Sequence, residues 1–121
     1  MKGPGKLNLT LQRRSGYAFG INLKDSNNTN INLTGKTVLS QIWDESRTNK
    51  VADATVTITD ATGGDISWKV SHTDTANMTD SIYNYDVKKI HANGDREYIL
   101  EGTIYMSEGY TAQWQLTMFQ I

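Results

Sequence analysis

Alternation of apolar and polar residues is the most regular feature of this 121-residue chain. In segment 6–12, three leucines share one parity while polar residues occupy the other, which is the pattern of a half-buried strand. A second alternating run follows at 17–23. The runs at 54–58 and 66–70 are separated by a glycine-containing turn, so together they predict a hairpin.

Segment 36–44 differs from these runs because apolar residues occupy both of its faces. Val38 and Ile42 share one face, whereas Leu39 and Trp43 share the other face with Gln41. A strand that is apolar on both sides usually lies inside a sheet or is covered on its second side. We therefore expect this segment to be central or covered.

Two aromatic-rich segments, 82–87 and 98–106, flank a single Asn93-Gly94 dipeptide. Asn-Gly readily adopts positive φ at both positions, as a two-residue type I′ turn requires, so the pattern predicts a β-hairpin with that turn. We expect a bulge where Gly102 interrupts the second arm.

Side-chain parity predicts which residues of this hairpin face the core. One parity of the first arm carries Tyr83, Tyr85 and Val87, and Trp68 of the preceding strand is also assigned to the core. In the second arm, Tyr98 shares its parity with Leu100, Ile104 and Met106, while Ile99 and Tyr105 lie opposite.

Asp86 is a carboxylate in the middle of this aromatic strand. Burying it without a partner would cost free energy. We expect it to accept hydrogen bonds from the backbone and from Arg or Lys near a strand edge.

About seven to eight short strands at intervals of about ten residues, joined by polar turns, predict an all-β fold. The architecture that this pattern favours is an immunoglobulin-like antiparallel β-sandwich, with a small barrel as the alternative. We expect residues 1–111 to form the sandwich domain. Residues 112–121 are expected to form a C-terminal strand or arm.

The C-terminal segment is apolar on both parities. One interpretation is a final strand of the same domain. The other is an arm that adds to the edge of a neighbouring copy or of another protein, which makes the segment an assembly interface. Trp43 is added to this hypothesis as an aromatic residue to be tested for a surface role. The candidate interface residues are Trp114, Leu116, Met118, Phe119, Ile121 and Trp43.

Composition narrows the class of protein further. The length fits one domain, and the absence of cysteine excludes disulfides and thiolate metal sites. A net charge of -1 gives no reason to expect nucleic acid or an anionic membrane as partner. No run reaches the roughly 18 apolar residues of a membrane span, and the N-terminus lacks the apolar core of a signal peptide, so we expect a soluble protein.

No group of residues in the sequence has the spacing of a catalytic or metal site. His72 and His91 stand nineteen positions apart without a second imidazole nearby, and they are read as surface residues. Asp44-Glu45 and the 74–80 region do not match a calcium loop. Because no nucleophile, base and orienting group occur together, we expect neither catalytic residues nor a cofactor, and no enzyme activity.

The order of short motifs along the chain resembles that of a family of bacteriophage virion domains, the N-terminal β-sandwich of baseplate upper proteins and related short tail proteins. The resemblance covers roughly residues 7 to 111. The motifs are INLTGKTV at 31–38, ATGGDISW at 61–68, TDTA at 73–76, YNYDV at 83–87 and NGDREYILEGTI at 93–104.

This resemblance implies a non-enzymatic structural protein of a tailed phage particle, acting as an adaptor in the tail, baseplate or fibre-attachment region. It implies a location in the virion after synthesis in the host cytoplasm. The implied partners are other copies of the chain, in a homo-oligomer, and other virion proteins, rather than nucleic acid or a membrane. Two alternatives stay open: a capsid decoration protein, and a carbohydrate-binding module in which Trp43 or Trp114 stacks on sugar.

Overall fold

The computed structural model describes residues 5–107, which form eight strands and one short helix. The helix, α1, spans His72–Ala76, and no helix in the described part is long and apolar enough to cross a membrane. The all-β class is thereby confirmed for these residues. The strands are β1 (Gly5–Lys6), β2 (Leu9–Gln12), β3 (Tyr17–Asn22), β4 (Thr37–Asp44), β5 (Lys50–Asp60), β6 (Asp65–Val70), β7 (Ile82–Ile90) and β8 (Arg96–Ser107).

The strands form one curled, mixed sheet in the order β1-β8-β7-β4-β5-β6-β3, with β2 pairing to β8 beside β1. The pairs of β8 with β1 and β2 are parallel, and the other strand pairs are antiparallel. The expected purely antiparallel arrangement is therefore wrong at this edge. Segment 36–44 is expected to be central or covered, and the structure makes it central because β4 pairs with both β5 and β7.

The length of β5 allows the sheet to curl. β5 has 11 residues, which corresponds to about 36 Å of extended chain. Its first part pairs with β4 as far as Ala54, and its second part pairs with β6 from Thr55 onwards. One strand thus belongs to both halves of the sheet.

The turn between β2 and β3 brings the two ends of the strand order together. Arg14 in this turn has φ 70°. The Tyr17 hydroxyl accepts a hydrogen bond of 2.9 Å from the backbone N–H of Gln12. The chain therefore passes directly from one side of the curled sheet to the other.

The core lies on the concave side of the sheet and is centred on Trp68, which is fully buried. The indole Nε1 of Trp68 donates to Ser40 Oγ at 2.9 Å, and Ser40 Oγ donates to the backbone carbonyl of Asp86 at 2.6 Å. Tyr83 and Tyr85 are also buried. The core positions that parity assigned to these three aromatic residues are confirmed.

The hairpin of β7 and β8 is confirmed, but its two-residue type I′ turn is wrong. The His91 carbonyl accepts from the Gly94 N–H at 2.9 Å, and the His91 N–H donates to the Asp95 carbonyl at 2.8 Å. Gly94 has φ 95°, whereas Asn93 keeps a negative φ. This is a three-residue loop that ends in a glycine bulge. The Asn93 side chain stabilises it by accepting from the Asp95 N–H at 3.0 Å.

A bulge does occur in β8, but at Ile99 rather than at Gly102. Val87 pairs with Leu100 while Lys88 pairs with Tyr98, which leaves Ile99 as the extra residue. Ile99 and Leu100 are consequently both buried although they are neighbours in sequence. The bulge reverses the parity of the strand, so Tyr98 faces outwards instead of into the core.

Gly102 instead permits a close approach of the N-terminal segment. A Cβ atom at this position would lie 1.9 Å from the Leu7 carbonyl oxygen and 2.9 Å from the Tyr85 ring. The same carbonyl accepts a hydrogen bond of 2.5 Å from the Tyr85 hydroxyl. Gly102 therefore leaves room for the chain between β1 and β2.

Candidate functional site

A shallow groove of about 220 Å³ lies on the outer face of β4, β7 and β8, on the side opposite the core. This surface is named the outer groove. It combines aromatic, amide, carboxylate and guanidinium groups. Its lining residues are Gln41, Trp43, Arg47, Asn84, Asp86, Tyr98 and Glu101, together with Tyr85, whose side chain is buried in the core.

Strand register brings the polar groups of the groove into one row. Gln41 pairs with Asp86, and Asp86 pairs with Glu101 on its other side. Residues directly opposite each other on neighbouring strands project from the same face of a sheet. The three side chains therefore lie side by side across β4, β7 and β8, and this set is named the polar row.

Trp43 forms the aromatic wall beside the polar row. It is half-buried, and its Nε1 donates to Gln41 Oε1 at 3.2 Å. Residues two apart on a strand are separated by about 6.6 Å along the same face. An indole that reaches such a neighbour must lean along the strand rather than point straight out from the sheet. Trp43 pairs in register with Asn84, which extends the groove onto β7.

The loop between β4 and β5 places Arg47 at the end of the groove. Arg47 has φ 61°, and its N–H donates to the Asp44 carbonyl at 3.0 Å. The Asn84 side-chain amide donates to the Glu45 carbonyl at 3.0 Å and so attaches the loop to β7. These two hydrogen bonds attach the loop to the end of β4 and to β7.

Asp44 closes the same loop with its carboxylate. Desolvation acts to raise the pKa of Asp44, but the backbone hydrogen bonds from Thr48 and Asn49 outweigh it, and side-chain bonds from Asn49 and Ser46 add to them. The result is a pKa below the ordinary value. Because these bonds favour the ionised form, Asp44 holds the loop as a carboxylate.

The two carboxylates of the polar row have different electrostatic surroundings. Desolvation raises the pKa of Asp86, the positive charges of Lys88 and Arg47 lower it, and the negative charge of Glu101 raises it again; the net direction is upwards. Glu101 forms an ion pair with Lys6 of β1. Each carboxylate therefore has cations close to it, and the groove does not concentrate one sign of charge.

The position predicted for Asp86 is wrong, because β7 lies between β4 and β8 rather than at a strand edge. Arg47 and Lys88 act on Asp86 through their positive charge rather than through the expected hydrogen bond, and its expected backbone partner is Gln41. Asp86 thus belongs to the outer groove as well as to the framework of the sheet.

Among the predicted interface residues, Trp43 lies in the outer groove. The other five lie outside residues 5–107, so their interface role stays a prediction. They are Trp114, Leu116, Met118, Phe119 and Ile121.

Tyr98 is the groove residue that sequence parity placed on the wrong side. Its side chain is 53% exposed, although Leu100, two residues later, is buried. Tyr98, Ile99 and Leu100 form a run of three apolar residues. This run was the available sequence signal for a bulge, because a bulge allows two neighbouring residues to be buried together. Parity did place Gln41 on the face of Trp43, but it could not show that Asp86 and Glu101 complete the row.

The histidines lie away from the outer groove. His72 begins α1, and His91 Nε2 lies 3.6 Å from Glu97 Oε1 at the end of the hairpin. Within residues 5–107, no group of three or more His, Asp or Glu side chains is arranged to hold a metal ion.

Comparison with known proteins adds no family to this description. No family model and no curated protein sequence matches the chain.

Proposed function

We propose that this chain is a non-enzymatic structural protein of a tailed bacteriophage particle, an adaptor in the tail, baseplate or fibre-attachment region. In this proposal the curled sheet is an immunoglobulin-like β-sandwich. The chain assembles with copies of itself and with other virion proteins after synthesis in the host cytoplasm. It acts through the surfaces it offers to them.

The observation that carries the proposal is the edge at β3. Among the described strands, β3 pairs with β6 alone and stands at the end of the strand order. Such an edge presents backbone N–H and C=O groups that can pair with a strand of another chain. The rings of Tyr17 and Phe19 stack with centroids 5.6 Å apart, which holds the inner face of β3 in place.

The family resemblance supports the same proposal through the positions that its motifs occupy. They include Leu33, Trp68, Tyr85 and Leu100, all of which are buried in the core. Four of the five motifs therefore include a core position.

Amide hydrogen exchange tests the role of the β3 edge. In the isolated chain, the N–H groups of β3 that do not bond to β6 are expected to exchange quickly. In purified phage particles that contain the chain, the same groups are expected to become protected, while the already paired amides of β4 change little. Equal exchange in the two states would contradict assembly through this edge.

Deletion of residues 112–121 tests the proposed C-terminal arm. We expect the truncated chain to retain its far-UV circular dichroism and its thermal transition but to be missing from particles. A matched control is the full-length Leu39→Ala variant, which removes an exposed apolar side chain from the outer face and should still be incorporated. A truncated chain that assembles normally would contradict the arm.

Copy number separates the adaptor from a capsid decoration protein. An adaptor is expected in the small number of copies set by tail symmetry, whereas a decoration protein covers the capsid in large numbers. Quantitative mass spectrometry of purified particles, with the major capsid and tail-tube proteins as internal standards, measures the difference.

A further inference from the structure

The chemistry of the outer groove fits a sugar. We propose that the outer groove binds one ring of a neutral hexose, with the indole of Trp43 against the C–H face of the sugar and the polar row bonded to its hydroxyls. The inference rests on the groove alone and does not depend on a role in a virion.

The aromatic part of the groove is suited to stacking. The bond from Trp43 Nε1 to Gln41 Oε1 keeps the indole leaning over β4, so the ring does not have to be ordered when a ligand arrives. Tyr98 provides a second, largely exposed aromatic side chain on β8. Fixing aromatic groups before binding lowers the entropy cost of association.

The polar row supplies groups that bind pairs of hydroxyls. Carboxylates accept hydrogen bonds through two oxygens, and an amide both accepts and donates. Because the Gln41 oxygen is engaged by Trp43, its NH₂ group is the part that can donate to a ligand. Neighbouring strands are about 4.8 Å apart, so the row from Gln41 to Glu101 spans about 10 Å, a length comparable with one sugar ring and its substituents.

The charges around the groove favour a neutral ligand. The carboxylate of Glu101 is paired with Lys6, and that of Asp86 lies in the field of Arg47 and Lys88. A cationic ligand would meet those positive groups, and an anionic ligand would meet the two carboxylates. The groove volume of about 220 Å³ is also below the roughly 300–1,000 Å³ of sites that enclose drug-sized ligands, which suits a single ring.

Strand pairing argues against a peptide bound by strand addition at this position. β4 and β7 have neighbours on both sides, and β8 is paired with β7 on one side and with β1 and β2 on the other. Their backbone hydrogen-bonding groups are therefore already used. A ligand of the groove must bind through side chains, as a polyhydroxylated ring can.

Titration followed by ¹H–¹⁵N NMR tests the proposal with the methyl glycosides of glucose, galactose and mannose as probes. At least one probe is expected to shift the indole N–H signal of Trp43 and the side-chain amide signals of Gln41 and Asn84, with a dissociation constant of about 1 mM, as expected for a ligand of about 13 non-hydrogen atoms. The Trp68 indole signal is the internal control, because that residue is fully buried on the opposite face.

Variants separate stacking from other effects. Trp43→Ala is expected to weaken binding at least tenfold, while Trp43→Phe keeps a ring and should retain most of it. Tyr98→Ala should weaken binding, whereas Tyr105→Ala, which removes another exposed tyrosine of β8 outside the groove, should leave it unchanged. Glu101→Gln should weaken binding without removing an aromatic group, which covers the case in which Trp43→Ala does not fold.

Sorbitol is the matched control ligand, because it carries similar hydroxyls without a ring to stack. The proposal is overturned if none of the three glycosides shifts the Trp43 signal, if sorbitol shifts it as strongly as they do, or if a folded Trp43→Ala or Glu101→Gln variant binds as well as the unmodified chain.

Discussion

Trp68 and Trp43 lie on opposite faces of the same sheet, and each donates its indole N–H to a residue of β4. Trp68 is fully buried, and its bond of 2.9 Å to Ser40 satisfies a donor that water cannot reach. Trp43 is half-buried, and its bond of 3.2 Å goes to Gln41. The first bond is needed because an unpaired buried donor is costly, whereas the second mainly sets the direction of a ring. The inner face of the sheet is thus specialised for core packing, and the outer face is specialised for presenting side chains at the surface.

The largest expected difference is between alanine substitutions of the two tryptophans. Trp68→Ala should lower the free energy of unfolding by about 3–5 kcal/mol, since it empties the centre of the core. Trp43→Ala should cost less than half as much, because its side chain is only half-buried. Urea unfolding followed by circular dichroism measures both, and equal losses would contradict the specialisation of the two faces.

Gly102 tests how tightly the core face is packed. Gly102→Ala is expected to cost about 1–3 kcal/mol or more, because the new Cβ would collide with the Leu7 carbonyl and the Tyr85 ring. Gly20→Ala is the matched control in β3, where a Cβ meets no atom within 4 Å, and it should change stability by about 0.5 kcal/mol or less. If the two variants unfold at the same urea concentration, the close approach of the Leu7 carbonyl to Gly102 does not constrain the stability of the protein.

Ser40→Ala examines the hydrogen bonds that connect Trp68 of β6 to β4 and to the backbone of β7. It leaves the Trp68 indole and the Asp86 carbonyl without their partner, so we expect a loss of about 1–2 kcal/mol, within the range of about 1–3 kcal/mol for an unsatisfied buried group. Ser67→Ala, on the outward side of β6 next to Trp68, is the control and should be nearly neutral. If Ser40→Ala does not change the free energy of unfolding, the hydrogen bonds that run from Trp68 through Ser40 to β7 are dispensable for stability.

The smallest effects are expected from two carboxylates, Asp86 in the outer groove and Asp44 in the loop between β4 and β5, and these effects should have opposite signs. The pKa of Asp86 is raised, so its contribution to stability is present below the unfolded value of about 3.8 and is lost as the pH rises through the folded value. The pKa of Asp44 is lowered, so its contribution is present above about 3.8 and is lost as the pH falls through the folded value.

Melting temperatures between pH 2.5 and 7 check these signs. Relative to the unmodified chain, Asp86→Asn should gain stability as the pH rises through the folded pKa of Asp86, and the two should converge at low pH. Asp44→Asn should be less stable than the unmodified chain at pH 7 and should converge with it in acid. Curves that run parallel over the whole range would contradict the assigned directions of the pKa shifts.

Local patterns in the sequence predicted much of the core face, because burial there imposes a strict alternation. Trp68, Tyr83 and Tyr85 were placed correctly on that basis, as was β4 within the sheet. The outer groove was harder to predict, because it depends on which strands become neighbours. The row from Gln41 to Glu101 joins three strands, and no periodicity within one strand encodes that register.

Two further features escaped prediction for physical reasons. The bulge at Ile99 changes the parity of β8 by one residue, which moves Tyr98 from the predicted core to the outer face. The parallel pairing of β2 with β8 joins segments far apart in the chain, and alternation in 6–12 is compatible with either direction of pairing. The predicted interface after residue 111 lies outside the described residues and stays a prediction.

The parallel pairing of β2 with β8 also has a consequence for how the chain is made. Leu9 and Leu11 are buried only when β8 is in place beside them, and the bond between Asn8 and Thr103 joins residues 95 positions apart. Contacts of such long range slow folding, because a large loop must close before they form. During synthesis, the first strands therefore emerge from the ribosome with their leucines exposed, and they cannot find their final partner until β8 has followed.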